Sequence, residues 1–517
     1  MKLKKESVEE IYKNLILVLV IFLLFIISYN TGSLNDVKAI QKYMKLMILS
    51  TLCIFAMLWF FRKEKKPDLL PILILIGFVM RIGYMLYTDS GVRGHDAGII
   101  SLDGYGHRSY IYRIYEYLKL PDINKGQMYH PPLYHFLSAI AMYLVRPFTS
   151  KNDAVHLIEA AKIVSCFASC ATLRVGLRIC KELQLSHRVQ LVTIGFLAFL
   201  PNMYLLAGRV NNDALAYYFM FMIVLYTIRW YKEKSYKNTI ILALLFGMGM
   251  STKISCGVLA LITGILMIIS FIQAIKNGSA VQIVKRLLCF GLICFPLGLW
   301  YPIRNYLLFH QPFNYVLEIS KTHDLYCGDW SFFKRFISVP LKNLFQQTYN
   351  LPYEDYNTTT YLIRGALFGE FTFDINEIIP KFLIFVYLIL LVISLISMVR
   401  RFMEGVKCAA NRTISDKAWN EKFVLFGFPI LWLVTMGSYF TFNIKYPFGC
   451  TMDYRYVVMV AFVNAVMLGI SYDHAAGNVK ADRIIDGKKW RIFLNKTIEI
   501  LMLLFIAVSI IMYCNIN

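Results

Sequence analysis

The chain has 517 residues, 58% of them hydrophobic and only 17% charged, with a net charge of +22 and a mean hydropathy of +0.54. A soluble domain carries about 25% charged residues, so a water-surrounded fold is excluded. The excess of Lys and Arg lies beside apolar runs, as cytoplasmic loops of membrane proteins require, which argues against nucleic acid as a partner.

The apolar runs are continuous rather than alternating, so the expected class is all-α: a polytopic transmembrane bundle, not a barrel. Lys2, Lys4 and Lys5 place the N-terminus in the cytoplasm. Spans are expected near 14–29, 44–61 and 69–87, with Arg62, Lys63, Lys65 and Lys66 in the intervening inner loop. The segment after Tyr87 is then external. Leu133–Val145 is apolar but too short to cross, and reads as re-entrant or interfacial. Further spans follow near 157–180, 189–208, 214–230, 239–252, 256–273 and 287–302. After an external stretch, 303–380, four more lie near 381–399, 422–441, 455–471 and 497–513. The total is about 13, with boundaries the least certain feature. This divides the chain into an N-terminal membrane hairpin (1–68), a membrane module (69–302), an external loop or lid (303–380) and C-terminal helices (381–517). A plasma-membrane protein with an active extracellular face is the expectation. No Cys-x-x-Cys pair suggests a metal site; Cys327 and Cys450 both fall outside, where a disulfide between them is permitted.

That topology gathers the polar motifs on one outer face. The first loop carries Gly94-His95-Asp96-Ala97-Gly98 and Asp103-Gly104-Tyr105-Gly106-His107, followed by Tyr129-His130-Pro131-Pro132-Leu133. Other outer tips hold Arg209 to Asp213, Lys253, Trp300 to Asn305, and Asp453-Tyr454-Arg455-Tyr456. Each has an ordinary explanation alone: a loop acid, a structural histidine, a snorkelling arginine. Ionisable groups at membrane depth usually face a cavity, and this many on one face point to a site.

At these residues the chain resembles the GT-C superfamily of membrane glycosyltransferases. The nearest families would be the protein O-mannosyltransferases of glycosyltransferase family 39 and the lipid A aminoarabinose transferases. The likeness rests on Arg81 followed by Asp96, the His-Pro-Pro-Leu-Tyr run at 130–134, the Lys253 segment, and Trp-Tyr-Pro-Ile-Arg-Asn at 300–305. It implies a sugar on a polyprenyl phosphate or diphosphate as donor, with a protein, glycan or lipid acceptor entering from outside, and a first-loop acid as base. Asp96 fits that place. Relatives often have adjacent acids, whereas Ala97 follows here, so Asp103 is the alternative base, with His107 as a further catalytic candidate. Lys253, Arg304, Arg209, Arg455 and His130 are candidates for the donor phosphate, where cations stabilise the departing charge. Tyr129, Asp213, Asn212, Glu354 and Asp355 are candidates for the acceptor side or lid. One carboxylate acting as base favours inverting single displacement. No cofactor is required by this reading, although His95, Asp96 and His107 leave a divalent ion open. The rival from another class is a transporter or lipid flippase, which would show matching halves; none is visible. A surface-polysaccharide polymerase or ligase is a closer alternative.

Overall fold

The computed structural model describes residues 2–62, 67–94, 96–151, 153–313, 315–317, 319–348, 357–477 and 488–516; side chains are described from Glu9 and, in the last segment, from Trp490. Among the described residues the chain is helical, with no strand and a single isolated antiparallel bridge between Tyr326 and Phe448. Among the described residues eleven helices are long and apolar enough to cross a bilayer, and a bent pair raises this to twelve. The difference from about 13 lies at Tyr236–Thr252, a 17-residue helix at the lower limit of bilayer length. The 13-residue helix Leu133–Val145 is not among the spans; it packs on His107–Tyr117 and on the long helix Ala161–Glu182.

Two breaks in the bundle bring polar residues to its interior. The first separates His187–Phe199 from Pro201–Gly208 with a 59° bend. Leu200 adopts extended backbone, and Pro201 has no N–H to give back to the preceding turn. The carbonyls this leaves are met by Arg81, fully buried in helix Leu69–Tyr87. Its Nη2 donates to Leu197 O and its Nη1 to Ala198 O, each at 3.0 Å, while Nε donates to Ser169 Oγ at 3.1 Å. Ser169 passes the chain on to Met203 O at 2.8 Å, and Ser165 holds Arg209 O at 2.6 Å. A guanidinium with five donors in a planar fork suits such a carbonyl set better than an ammonium.

The second break is at Lys253. Its N–H closes helix Tyr236–Thr252 on Gly249 O at 2.8 Å, its backbone turns extended, and a 3-10 turn, Ile254–Leu259, resumes the path.

The stretch assigned to an external loop begins later than expected, because helix Ala280–Phe309 runs through residue 302 despite Pro296 and Pro302. Beyond it the chain folds back on the bundle. Helix Thr358–Phe368 packs on Pro201–Leu205 and on the Tyr454–Tyr456 turn, and Asn202 Nδ2 donates to Gly365 O at 2.7 Å. The bridge at Tyr326 places residues 325–327 beside 447–449; Cys327 and Cys450 are separate free thiols, and burial pushes the Cys450 thiol up to about 12.

Candidate active site

A cavity of about 280 Å³ opens where the first loop, the break at Lys253 and the Tyr454–Tyr456 turn meet. Asp96 enters it from a strained position. Its φ is +57°, in the left-handed region that aspartate tolerates better than most residues. The loop is locked by close backbone contact: a Cβ on Gly106 would sit 2.3 Å from Ala97 O, so that crossing accepts only glycine. His107 N and Arg108 N donate to Asp96 O and Ala97 O at 2.9 Å, tying the loop to helix His107–Tyr117.

Arg455 is the centre of the charged cluster. Its Nη1 lies 3.6 Å from Asp96 Oδ2 and 3.5 Å from Asp213 Oδ2, and its Nε lies 3.4 Å from Asp453 Oδ2. The other oxygen of Asp213 pairs with Lys253 Nζ, and Asn211 Nδ2 donates to Asp213 Oδ2 at 3.1 Å. Lys253 also sits 5.1 Å from the Tyr456 ring, and Arg455 Nη2 donates to the Tyr456 hydroxyl at 3.1 Å. Asp213 and Lys253 are 2% and 13% exposed, whereas Asp96 is 35% exposed. Asp213 is therefore fixed by two cations, while Asp96 keeps a face on the cavity.

A second wall is aromatic. The rings of His130, His107 and His135 form a column: His107 is stacked 5.6 Å from His130 and 5.2 Å from His135, and Tyr110 stacks 3.8 Å from His135. Burial, with the neighbouring His130 adding to it, pushes His107 down to about 3; burial and Lys253 do the same for His130. Both are neutral near pH 7. Tyr110 donates to Tyr301 at 2.8 Å, and Tyr301 to Met128 O at 2.7 Å, so the 130–134 and 300–305 runs meet here. Tyr129, whose ring lies tilted 4.1 Å from that of His130, and Asn212, which donates to Thr252 O at 3.0 Å, also line the cavity.

The sequence-derived candidates thus divide. Asp96, His107, Tyr129, His130, Asn212, Asp213, Lys253 and Arg455 converge on the cavity. Asp103 does not line it and is exposed in the loop. Arg304 turns aside to donate to Pro121 O at 2.7 Å. Arg209 is buried beneath Phe371, 4.8 Å from its ring, outside the cavity lining. Glu354, Asp355 and His95 lie outside the described residues. Sequence reasoning missed His135, Asp453 and Tyr456. The last two stand beside Arg455 in a quoted run; His135 hides in an apolar helix, five residues after His130. The segment 303–380 does contribute a wall, through Gln311, Phe313 and Tyr315. Among the described residues, no three His, Cys, Asp or Glu side chains gather to hold a metal ion.

The fold and this site define a multi-pass helical membrane protein with charged and aromatic side chains gathered at one mouth of its bundle. Residues 129–300, about a third of the chain, match the family model described as dolichyl-phosphate-mannose-protein mannosyltransferase. The matched stretch holds His130, Asp213 and Lys253. Among solved structures, the chain is similar to an oligosaccharyltransferase of Archaeoglobus fulgidus tethered with an acceptor peptide, at 10% identity and a TM-score of 0.46. That alignment covers 87% of this chain and 55% of the archaeal one, so the chain spans little more than half the length of that relative. No curated protein matches the sequence.

Proposed function

We propose that the protein transfers a sugar from a polyprenyl-phosphate or diphosphate donor to an acceptor hydroxyl, in single displacement with inversion, on the extracellular face of the plasma membrane. The observation that carries this reading is the cluster itself: a cavity-facing carboxylate, Asp96, sharing Arg455 with a carboxylate, Asp213, already held by Lys253. Asp96 accepts the proton of the attacking hydroxyl as the oxygen bonds to C1. The C1–O bond to phosphate breaks, and Lys253 and Arg455 stabilise the phosphate's added charge. Asp213 is too firmly paired to act as a nucleophile, which argues for one displacement rather than two. Its place is to orient both cations. The polyprenyl chain leaves the cavity along its apolar side, past Met220, Ile254 and Phe442.

The proposed steps use side-chain cations; chelation and addition of Mg²⁺ or Mn²⁺ in the assay test whether a divalent ion also takes part. The acceptor is a protein, glycan or lipid hydroxyl. Mannose is the first sugar to try, from the wording of the matched family model. The test is transfer of radiolabelled sugar from polyprenyl-phosphate mannose to membrane acceptors by wild type and Asp96→Asn, with the anomer of the product determined. Loss of transfer in a folded variant with an inverted product supports the reading. Full transfer in Asp96→Asn removes Asp96 as base, and a retained anomer removes the single displacement.

A further inference from the structure

An ion pair is buried where helix Ala161–Glu182 begins, away from the cavity lining. Glu159 and Lys162 pair across one turn, at 9% and 0% side-chain exposure. Taking both charges out of water is costly, and their attraction repays it only where further hydrogen bonds are made. Those bonds go to the start of the first loop. Lys162 Nζ donates to Thr88 O at 2.7 Å, and Ser90 N donates to Glu159 Oε1 at 3.1 Å. Lys162 Nζ also donates to Asn35 Oδ1 at 2.9 Å, and Asn35 Nδ2 donates to Asp89 Oδ2 at 3.2 Å. Asn35 lies between helices Lys2–Asn30 and Val37–Phe61, at the outer tip of the N-terminal hairpin. Residues 88–90 are thus gripped from two sides as the chain leaves helix Leu69–Tyr87.

The path from that grip to Asp96 is short and tied at both ends. Val92 N donates to Asp89 O at 3.0 Å, and Gly94 folds back so closely that a Cβ on it would lie 2.7 Å from Ser90 O. Arg108 closes the loop: its Nη1 donates to Ser90 Oγ at 3.5 Å and its Nε to Gly98 O at 2.7 Å. Asp96 stands between these ties, 3.6 Å from Arg455. A displaced Ser90 therefore carries Asp96 with it. Asp213 and Lys253 are held from other elements, by Asn211 and by each other. We propose that Glu159, aligned by Lys162, is a positioning residue for Asp96, acting through the N–H of Ser90. This deepens the reading of Asp96 as the base and rests on it. A base displaced by about 1 Å loses about 100-fold in rate. The cations that meet the phosphate keep their places, so the loss falls on kcat and spares the donor KM.

The test is a set of variants of the full chain, with transfer measured from polyprenyl-phosphate mannose. Glu159→Ala combined with Lys162→Met removes both charges and the grip on Ser90. Glu159→Gln keeps an oxygen for Ser90 N. Asn35→Gly keeps the left-handed backbone, at φ +67°, and deletes only the carboxamide. Each is made in wild type and in Asp96→Asn. In wild type, kcat should fall about 10-fold to 100-fold in the double variant and about threefold to tenfold in Asn35→Gly, with the donor KM within about twofold. Glu159→Gln should stay within about fivefold of wild type. In Asp96→Asn the same changes should lower the residual rate no further, because the carboxylate they position is gone. Equal losses in both backgrounds, or a raised donor KM with kcat kept, would reduce the pair to a structural role and overturn the proposal. Unchanged kcat in the folded double variant and in Asn35→Gly would overturn it as well. If the double variant fails to fold, Asn35→Gly and Glu159→Gln carry the same comparison. Full transfer by Asp96→Asn alone would instead sink the base that Glu159 serves, and no transfer by wild type would sink the enzyme reading itself.

Discussion

Replacing Asp213 by asparagine removes the carboxylate that Lys253 and Arg455 share. Both Asp213 and Lys253 are nearly enclosed, at 2% and 13% exposure. Removing one partner of a buried pair costs about 3–5 kcal/mol, because the other charge is left desolvated. Arg455 keeps Asp96 and Asp453, so the Asp213→Asn cost should fall at the lower end, about 3 kcal/mol. Lys253→Met leaves Asp213 with Arg455 and should cost about 2–3 kcal/mol. The double variant buries neither charge of that pair. It should be no less stable than either single variant, a coupling of about 2–3 kcal/mol. The measurement is a denaturant titration in detergent micelles, read by midpoint at constant slope. Simple addition of the two single costs would refute the pairing. Transfer activity supplies a separate reading: both single variants should lose about 100-fold or more, since each disturbs the cations that meet the phosphate.

Asp96→Asn should lower kcat by about 100-fold to 10,000-fold with little change in stability, because asparagine also tolerates the left-handed backbone; Asp103→Asn should stay within a few-fold of wild type. Arg81→Met, which strips the carbonyls of Leu197 and Ala198 of their donors, should destabilise the protein by at least about 3 kcal/mol, with Arg81→Lys intermediate; equal stability of all three proteins would dismiss Arg81 as the cap of the bend. Acid should weaken the fold through the histidine column. His107 and His130 titrate near 3 when folded but near 6.5 when unfolded, so the unfolded chain binds more protons between those values. Stability should be level from pH 7 to 8 and fall progressively below about 6.5, and His107→Gln should flatten that slope. A wild-type midpoint unchanged from pH 7 to 5 would contradict it.

The bundle was legible because apolar length is a one-dimensional signal. It faltered where a helix is short, as at Tyr236–Thr252, or broken, as after Phe199. Lys and Arg in the loops placed Asp96, Lys253 and Arg455 at one mouth, and the structure links Arg455 to Asp96 directly and to Lys253 through Asp213. Direction was not legible. Arg304 occupies an outer tip like the others, yet its guanidinium reaches Pro121 O, and nothing in its neighbours' identity records which way it turns. Asp213 read as an acceptor-side or lid residue at an outer tip; only packing shows that two cations close on it. His135 was hidden because a histidine inside an apolar helix ordinarily means a satisfied core residue. Its significance comes from stacking across the Pro-Pro turn, a relation set by tertiary structure.

The Arg455 contacts also impose an order on biosynthesis. A chain made from its N-terminus delivers Asp96, then Asp213 and Lys253, to the membrane long before Arg455 exists. During that interval Asp213 and Lys253 can neutralise each other, whereas Asp96 has yet to meet the arginine it ends beside. Arg455 then arrives joined to helix Val458–Ala475, the most enclosed of the eleven unbroken spans, with 89% of it buried. Insertion of that helix fills the middle of the bundle and delivers the last charge in one event. A nascent protein is thus wet and open at its mouth until nearly the end of translation. A chain halted after residue 445 should remain so, readable as rapid labelling of a cysteine placed at position 213, which the full-length protein encloses to 2% exposure.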